Sequence, residues 1–560
     1  ILVLFLQNYY VYFLHSLVDG LVQQICIKMR DLEGLILPAL QRCKNLRGLK
    51  EVHSLVIQYC LSQSNFLVTK MVDLCDQFGE IGYARLLFKQ VDQPNSYLFN
   101  AMIRAFNHNA FYFLAVIAYI QMVRIIHEGT LNRVLPNRFT FPFVLRSCAE
   151  LESFELGKQV HTHLCKFGPV SHPLTDNALI AMYAKTNSVS DARKVFDEMS
   201  ERDFMTWNSM ISAYVKINQM KRAKTLFDSM PCKTVVSWTA MISGYAINGF
   251  FADALDMFRR MQEGGIQPDE VSILSVFPAC AKLGSLEMGK WIHVYCSRNG
   301  LLTTSICNAL IEMYSKCGVV DQALQLFHQM ENKDVISWST LLMGLANNGE
   351  VVQAINLFEK MKEKGIKPNA ISFLGLLSAC SHGGLWSKGL EYFESMKQDY
   401  KIEPKAEHYG IVVDMLGRAD LIEQALDVIK KMPVKPGAEI WGSLLSSCRT
   451  HGDLQIADVA IERLGVLEPD DAGNLILIGN IYAGYGKWRS VSNVRKQIRS
   501  KLMKRVPGCS LIEIENKVEE FASGDDSKHC SQDLFHLLNK MMLHAAKNHY
   551  ANEVSLIECS

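Results

Sequence analysis

A stretch of 35 residues, Val235–Asp269, has the pattern of two short helices followed by a loop, and this pattern recurs along the chain. Its first part, VVSWTAMISGYAI, places apolar residues at helical spacing, and Asn248-Gly249 interrupts that spacing. A second helical pattern then runs to Gly264-Gly265. A helix pair of this size cannot bury its own apolar stripe, so it must pack against copies of itself. The sequence therefore predicts a repeat protein.

The copies come in three forms whose order recurs. A standard form repeats the 35-residue pattern, a short form of 31 residues lacks its last few positions, and a long form of about 35 residues carries a Cys late in its first helix. One repeat is stretched to 42 residues, and we expect an insertion around Arg124–Arg133 near its second helix. The predicted repeats are Glu33–Ser64, Asn65–Asn95, Ser96–Asn137, Arg138–His172, Pro173–Asp203, Phe204–Thr234, Val235–Asp269, Glu270–Thr303, Thr304–Asp334, Val335–Asn369, Ala370–Lys405 and Ala406–Pro436.

This alternation resembles the P, L and S motifs of the plant pentatricopeptide-repeat family, PLS subclass, and it covers nearly everything from Glu33 onward. The chain as a whole is similar to a mitochondrial RNA-editing factor of that subclass, with the chloroplast as the alternative organelle. The two-helix period together with the resemblance implies an all-α fold, a right-handed α-solenoid of helix-turn-helix repeats over residues 33–436.

The repeat pattern changes after Pro436. Residues 437–470 are still a helix pair and resemble the family's E1 motif, and residues 471–505 resemble E2. Residues 506–545 resemble the start of the E-plus region, where Ser510–Glu515 and Lys517–Phe521 predict a small β-hairpin that turns at Asn516. Residues 546–560 form a tail. The family usually continues GD-x-S-H-P at the end of this region, whereas this chain has GDDSKH.

Composition leaves the choice of partner open. The formal net charge is +1 and the pI about 7.6, so bulk charge does not indicate a nucleic-acid binder. The sixteen Cys residues form no CxxC pair, which disfavours a disulfide framework and a zinc ribbon. Residues 1–32 match no repeat, are not rich in Arg or Ser, and are interrupted by polar residues. We expect a truncated or misassigned start there, with a membrane anchor as the alternative.

Catalytic signatures are missing from the sequence. Family members with a terminal DYW domain carry a zinc deaminase marked by H-x-E and P-C-x-x-C, and neither motif occurs here. We therefore predict no catalytic residue, no metal ligand and no cofactor. GSLEMGK (Gly284–Lys290) resembles a phosphate-binding loop, but Trp291 stands where Ser or Thr would hold magnesium, so we interpret it as a helix turn. The basic run Lys487–Arg505 is either a phosphate contact or a solvated helix face.

The predicted chemistry is recognition of single-stranded RNA, with no binding of DNA or membrane. The resemblance implies that the fifth and last residues of a repeat face one base. These positions carry Asn, Thr, Ser or Asp, which could instead be helix caps. Position two is mostly apolar (Phe66, Leu174, Met205, Val236, Ile336), suited to sandwiching bases or to packing between repeats. The predicted RNA-binding pairs are Thr69/Asn95, Asn100/Asn137, Asn177/Asp203, Asn208/Thr234, Thr239/Asp269, Asn308/Asp334 and Ser339/Asn369.

In the family's code, these pairs favour A, a pyrimidine, U, a pyrimidine, G, U and A in that order. The pairs Pro142/His172, Leu274/Thr303 and Gly410/Pro436 fit no rule. The implied target is 5′-AYNUYGNUANNNNNC, which ends on the edited C. The resemblance further implies recruitment of a DYW-type deaminase, or other editing factors, in trans through residues 437–526. Two alternatives remain: organellar RNA processing or stability, and a helical-repeat scaffold that binds proteins.

Overall fold

The computed structural model describes residues 32–127, 134–167, 172–469, 471–500, 509–514 and 517–522. The chain divides into two compact lobes, Ile1–Asn248 and Gly249–Ser560. The predictions for residues 1–31, for the tail and for part of the expected insertion fall outside the described residues. None of the helices in the described ranges is both long and apolar enough to cross a membrane.

Each predicted repeat that lies wholly within the N-terminal lobe contributes two helices. The helices of this lobe are α1 (32–41), α2 (Leu46–Gln58), α3 (Asn65–Phe78), α4 (Ile81–Gln90), α5 (Ser96–His108), α6 (Tyr112–His127), α7 (Thr140–Glu150), α8 (Phe154–Phe167), α9 (Pro173–Lys185), α10 (Val189–Glu198), α11 (Phe204–Lys216), α12 (Met220–Ser229) and α13 (Val235–Ile247).

The C-terminal lobe continues the helical pattern and ends in two strands. Its helices are α14 (Phe251–Glu263), α15 (Glu270–Leu283), α16 (Leu286–Arg298), α17 (Thr304–Lys316), α18 (Val320–Gln329), α19 (Val335–Asn347), α20 (Val351–Glu363), α21 (Ala370–His382), α22 (Trp386–Gln398), α23 (Ala406–Arg418), α24 (Ile422–Lys431), α25 (Ala438–His451), α26 (Leu454–Leu467), α27 (Ala472–Gly484) and α28 (Trp488–Ser500).

The predicted all-α repeat architecture is confirmed by these helices. Two antiparallel strands, β1 (Cys509–Ile514) and β2 (Lys517–Ala522), pair where the sequence predicts the hairpin, with Ser510 opposite Phe521. The predicted turn residue Asn516 lies outside the described residues. The handedness of the superhelix stays a prediction.

From Asn65 to Pro436, the two helices of each repeat are joined through one residue in the left-handed backbone region, where φ is positive. This residue is the fifteenth of its repeat in all eleven repeats from Asn65 to Pro436. Glycine reaches this region at low cost because it lacks a Cβ, and Asn and Asp tolerate it better than other side chains do. The residues are Gly79, Ala110, Glu152, Asn187, Asn218, Gly249, Gly284, Gly318, Gly349, Gly384 and Asp420.

An aromatic pair joins several of the neighbouring repeats. The fourth residue of a repeat, Trp207 or Trp338, meets a Phe on the second helix of the repeat before it. The Trp338 and Phe327 ring centroids lie 4.9 Å apart at an interplanar angle of 86°. Edge-to-face pairs of this kind contribute about 0.5–1.5 kcal/mol beyond the area that they bury. The pair sets the spacing between successive first helices, which carry the polar residues of the candidate site.

In two of the long repeats, a glycine allows close approach between neighbouring helices. Gly157 on α8 faces Met182, and a Cβ added to it would lie 2.3 Å from the methionine Sδ. Gly289 on α16 faces Met313 in the same way, at 2.4 Å from its Cε. Gly289 is the glycine before Lys290 in the loop-like motif of the sequence, and it lies inside a helix. The interpretation of that motif as a helix turn is therefore confirmed.

Candidate nucleic-acid interface

Predicted site residues from adjacent repeats meet where one repeat ends and the next begins. We call such a place a recognition junction. It is defined by the fifth and last residues of a repeat and the third residue of the following repeat. In space the fifth residue lies on the first helix, and the last residue precedes the first helix of the next repeat. Six of the seven predicted pairs lie within a single lobe. The seventh pair is divided between the lobes, with Thr239 in the N-terminal lobe and Asp269 in the C-terminal lobe.

The Asn177–Asp203 junction is closed by three side chains. The Asn177 Nδ2 atom donates to the two Asp203 carboxylate oxygens at 3.2 and 3.3 Å. The Thr206 hydroxyl lies 2.7 Å from the Asn177 Oδ1 atom and 2.8 Å from Asp203 Oδ1. Asn177 is 9% exposed, whereas Asp203 is exposed. The amide is therefore the buried part of the junction, and the carboxylate is its exposed part.

The Asn100–Asn137 junction has the same arrangement. The Asn100 Nδ2 atom donates to Asn137 Oδ1 at 3.1 Å, and the Thr140 hydroxyl donates to Asn100 Oδ1 at 2.6 Å. Thr140 is fully buried. The amide oxygen and the amide nitrogen of Asn100 thus each have one protein partner.

The Ser339–Asn369 junction is also closed, with hydroxyl groups replacing the amide. Ser339 Oγ donates to Asn369 Oδ1 at 3.1 Å and lies 2.8 Å from the Ser372 hydroxyl. The Ser372 hydroxyl in turn donates to Asn369 Oδ1 at 3.0 Å.

The Asn308–Asp334 junction is only partly closed. The Asn308 Nδ2 atom donates to Asp334 Oδ1 at 3.3 Å, and the Ser337 hydroxyl donates to the same oxygen at 2.8 Å. The Asn308 Oδ1 atom is buried and has no hydrogen-bond partner. This junction carries the same Asn–Asp pair as Asn177–Asp203, so the difference lies in where the hydroxyl points.

Two predicted pairs are not joined by a hydrogen bond between their own side chains. The Thr69 hydroxyl donates instead to the Asn65 carbonyl at 2.6 Å, and Asn95 caps α5 by accepting from the Leu98 amide. The Thr234 hydroxyl caps α13, and the Asn208 Oδ1 atom is buried without a partner. Position three of the repeat that follows Thr69/Asn95 is Leu98, which cannot supply a hydroxyl.

The carboxylates of the junctions are held ionised. Burial by itself raises the pKa of Asp203, but hydrogen bonds from Thr206 and Asn177 outweigh burial, so the pKa lies below its ordinary value. The pKa of Asp334 is lowered against burial by Ser337 and Asn308 in the same way. An ionised carboxylate only accepts hydrogen bonds. These two positions can therefore contact only donor groups on a ligand.

Helix capping and side-chain pairing coexist at these junctions. Asp203, Asp334 and Asn369 each accept a hydrogen bond from the backbone amide three residues on, and each completes a capping box. The third-position hydroxyl that closes the box was missed by the sequence reasoning. Its signal was the Ser or Thr three residues after each Asn or Asp, which is the capping-box spacing.

Apolar side chains at position two project into solvent beside the junctions. This exposure is unexpected for large apolar groups in a regular repeat and disfavours the alternative that they pack between repeats. Their exposed fractions are Phe66 46%, Leu174 53%, Met205 65%, Val236 59% and Ile336 58%.

Metal-binding groups are not assembled in the described ranges: no cluster of three or more His, Cys, Asp or Glu side chains is placed to hold an ion. The thiols of Cys148, Cys280 and Cys380 in three long repeats are buried, and burial raises the pKa of Cys148 to about 12 and that of Cys380 to about 11. A buried, protonated thiol is a small apolar group that packs in the core.

Family models match most of the repeat region and the segment after it. The model of the PPR repeat family matches residues 233–282 and 333–382. The PPR repeat model matches residues 177–204, 205–235, 305–335, 371–400 and 407–435. The E motif model matches residues 451–513.

Curated relatives and solved structures agree with these matches. A pentatricopeptide repeat-containing protein of Arabidopsis thaliana is 58% identical over 501 residues, which cover 89% of this chain and 93% of the relative. Another from the same plant, described as chloroplastic/mitochondrial, is 34% identical over 87% of this chain and 73% of its own length. The crystal structure of the maize pentatricopeptide repeat protein PPR10 superposes with a TM-score of 0.55 at 15% identity, over 81% of this chain and 70% of that one. The chain therefore belongs to the plant pentatricopeptide-repeat family, as a PLS-type protein with an E motif.

Proposed function

We propose that this protein binds single-stranded RNA in a sequence-specific manner, specifies cytidines for C-to-U editing in organellar transcripts, and recruits a deaminase in trans. The observation that carries the proposal is the recurrence of polar side-chain pairs at successive recognition junctions. These pairs carry donor and acceptor groups, and most of them lie beside an exposed apolar side chain at position two. Reading one base per helical repeat is a known mode of RNA recognition.

The charge state of the last residue accounts for part of the proposed specificity. U and G carry an imino N–H donor on the Watson–Crick edge, whereas A and C carry a ring nitrogen acceptor there. The ionised Asp203 and Asp334 can accept from U or G and repel the acceptors of A and C. Asn137 and Asn369 carry amides, which can also donate, and so they suit A or C.

The exposed position-two side chains would hold the bases in place. Stacking of a base on an aromatic side chain such as Phe66 contributes about 1–3 kcal/mol and does not depend strongly on sequence. The aliphatic side chains at this position would supply apolar contact to the bases. Met205 and Val236, each more than half exposed, lie on successive repeats and would flank one base. Stacking would supply affinity, and the polar junctions would supply selection.

The proposed target is 5′-AYNUYGNUANNNNNC. Binding of the full chain to this RNA, to a scrambled RNA of the same composition and to duplex DNA tests the proposal in a gel-shift titration. We expect the target RNA to bind at least about tenfold more tightly than the scrambled RNA, since each wrong base costs about 1–3 kcal/mol. Equal affinity for both RNAs would contradict sequence-specific binding.

The sharpest single position is the G assigned to Thr239 and Asp269. The substitution Thr239→Asn should move the preference from G to U at that nucleotide and leave the other nucleotides unchanged. A library of target RNAs randomised at one position at a time measures this directly. If the variant still prefers G, the proposed register is wrong.

The editing step is assigned to a separate deaminase, for which residues 437–526 would be the docking region. Purified protein should bind RNA without converting C to U. Deletion of residues 437–560 should abolish editing at the target site in the plant while RNA binding is retained. Conversion by the purified protein alone, or unimpaired editing after the deletion, would refute this assignment.

The mitochondrion is the proposed compartment, with the chloroplast as the alternative. Relatives described as chloroplastic and as chloroplastic/mitochondrial support an organellar target. Sequencing of mitochondrial and chloroplast transcripts from a loss-of-function plant distinguishes the two organelles, because only the transcripts of the correct organelle would lose an editing event.

A further inference from the structure

The two Asn–Asp junctions differ most in the partner of the amide oxygen. Asn177–Asp203 and Asn308–Asp334 carry the same pair, and both are assigned to U. The Thr206 hydroxyl contacts the Asn177 Oδ1 atom at 2.7 Å. The corresponding Ser337 hydroxyl contacts Asp334, and the Asn308 Oδ1 atom stays buried without a partner.

Amide orientation decides what such a junction offers a base. With Oδ1 bound by the Thr206 hydroxyl, the Asn177 Nδ2 atom uses one hydrogen on Asp203 and keeps the other for a carbonyl oxygen of U. A flipped amide would present its oxygen instead, and that acceptor suits the exocyclic amine of C. A fixed amide therefore separates U from C, whereas an amide free to flip accepts both.

The two amides are held to different degrees. A flip of Asn177 would place its NH2 group against the Thr206 hydroxyl, which then keeps only Asp203 Oδ1 as a side-chain acceptor, and would turn the amide oxygen toward the Asp203 carboxylate. Asn308 is only 8% exposed, and its Oδ1 atom has no protein partner to lose. A buried acceptor without a partner is costly, so a flip that turns this oxygen toward a ligand donor such as the amine of C removes that cost.

We propose that Thr206 is a positioning residue that fixes the amide of Asn177, so that the Asn177–Asp203 junction selects U over C more sharply than the Asn308–Asp334 junction. This inference rests on the RNA-binding function proposed above. The third residue of the following repeat thereby becomes a specificity determinant besides the fifth and last residues.

The test compares the fourth and eighth nucleotides of the target RNA in the full chain. RNAs carrying U or C at one of these positions are titrated with the wild-type protein. We expect the ratio of U to C affinity to be about tenfold larger at the fourth nucleotide, the order of one mismatched contact. Equal ratios at the two nucleotides would overturn the inference without any substitution being made.

A matched pair of substitutions separates positioning from helix capping. Thr206→Val and Ser337→Ala each remove a fully buried hydroxyl that closes a capping box. Only Thr206 touches the amide, so Thr206→Val should lower the U to C ratio at the fourth nucleotide by about tenfold. Ser337→Ala should leave the ratio at the eighth nucleotide unchanged. A purely structural role predicts equal effects, and that result would overturn the inference.

Two further outcomes keep this inference distinct from the proposed function. Absence of selective binding by the wild-type protein would remove the proposed function itself. Selective binding by the wild type with an unchanged ratio in Thr206→Val would remove only the role of Thr206. Circular dichroism melting of both variants tests whether the fold is intact. Thr206→Ser retains the hydroxyl, so it should keep more U selectivity than Thr206→Val does.

Discussion

Two kinds of connection between repeats alternate along this chain, and their chemistry differs. Where a short repeat precedes the next repeat, as at Asp203, the connection combines an apolar aromatic pair with a polar side-chain pair. Where a long repeat precedes a short one, as at His172, the fifth residue is Pro142, which has no side-chain hydrogen-bonding group. The polar contact there is instead between His161 and Tyr183, which share a 2.8 Å hydrogen bond on the helices themselves.

The difference indicates that the two kinds of connection have different roles. Connections after the short repeats Pro173–Asp203 and Thr304–Asp334 place polar groups at the ends of first helices, where a ligand can reach them. At the connections after the long repeats Arg138–His172 and Glu270–Thr303, His161 and His293 form hydrogen bonds with Tyr183 and Tyr314 within the helix packing. The long repeats would then act as spacers that do not select a base. This agrees with the proposed target, in which the nucleotides assigned to long repeats are written as N.

The largest expected effect concerns the packing of the two connections. Phe327→Ala removes a ring that is 2% exposed and pairs with Trp338. We expect a loss of about 3–5 kcal/mol, since the substitution leaves a cavity. Tyr314→Phe, at a connection after a long repeat, removes only the hydroxyl that contacts His293 at 2.9 Å and should cost about 1–2 kcal/mol. Urea unfolding followed by circular dichroism measures both, and equal losses would contradict the comparison.

The second prediction concerns RNA selection. Asp203→Asn keeps a good helix cap but adds a donor, so the preference at the fourth nucleotide should shift from U toward C. Binding to the U form should weaken by about 1–3 kcal/mol. His172→Asn, at the end of a long repeat, should leave every base preference unchanged. Titration with single-position RNA libraries measures both variants, and a new base preference in His172→Asn would show that long repeats also select bases.

The third prediction concerns close approach between helices. A Cβ at Gly244 would lie 2.6 and 2.8 Å from the two Cγ atoms of Val215, a β-branched side chain with little freedom to move. Gly244→Ala should therefore destabilise by about 1–3 kcal/mol. Gly157→Ala meets the flexible end of Met182, which can rotate away, so its loss should be smaller. Thermal melting measures the loss of stability in both variants. A larger loss in Gly157→Ala than in Gly244→Ala would contradict the prediction.

The smallest expected effect is the pH dependence of the connections after long repeats. Burial lowers the pKa of His161 and of His293 below the ordinary value of 6.5. A histidine whose pKa is lowered by folding binds its proton more tightly in the unfolded chain. Stability is therefore fully present above pH 6.5 and falls as the pH drops below it. In the double variant His161→Gln, His293→Gln, the melting temperature should depend less on pH in this range. An unchanged pH dependence would show that other groups cause it.

The repeat period and the polarity of each position were predictable from the sequence, because both depend on local chain geometry. A period of 31 or 35 residues with two apolar helical stripes permits few folds. Gly249 and Gly349 marked the turns in advance, since glycine is the residue that most easily adopts a positive φ. Ala110 and Glu152 adopt the same conformation without such a signal, because the packing of the helix pair imposes it.

Contacts between repeats were decided only by the tertiary structure. The sequence supplies Thr206 and Ser337 at equivalent positions, yet one hydroxyl reaches the neighbouring amide and the other does not. Asn177 and Thr206 are 29 residues apart in the chain, so their contact depends on how two helix pairs pack. Hydrogen bonds change strength steeply over fractions of an ångström, a scale that periodicity does not constrain. The sequence by itself determines which positions are polar, and the packing of the repeats decides which of them are paired.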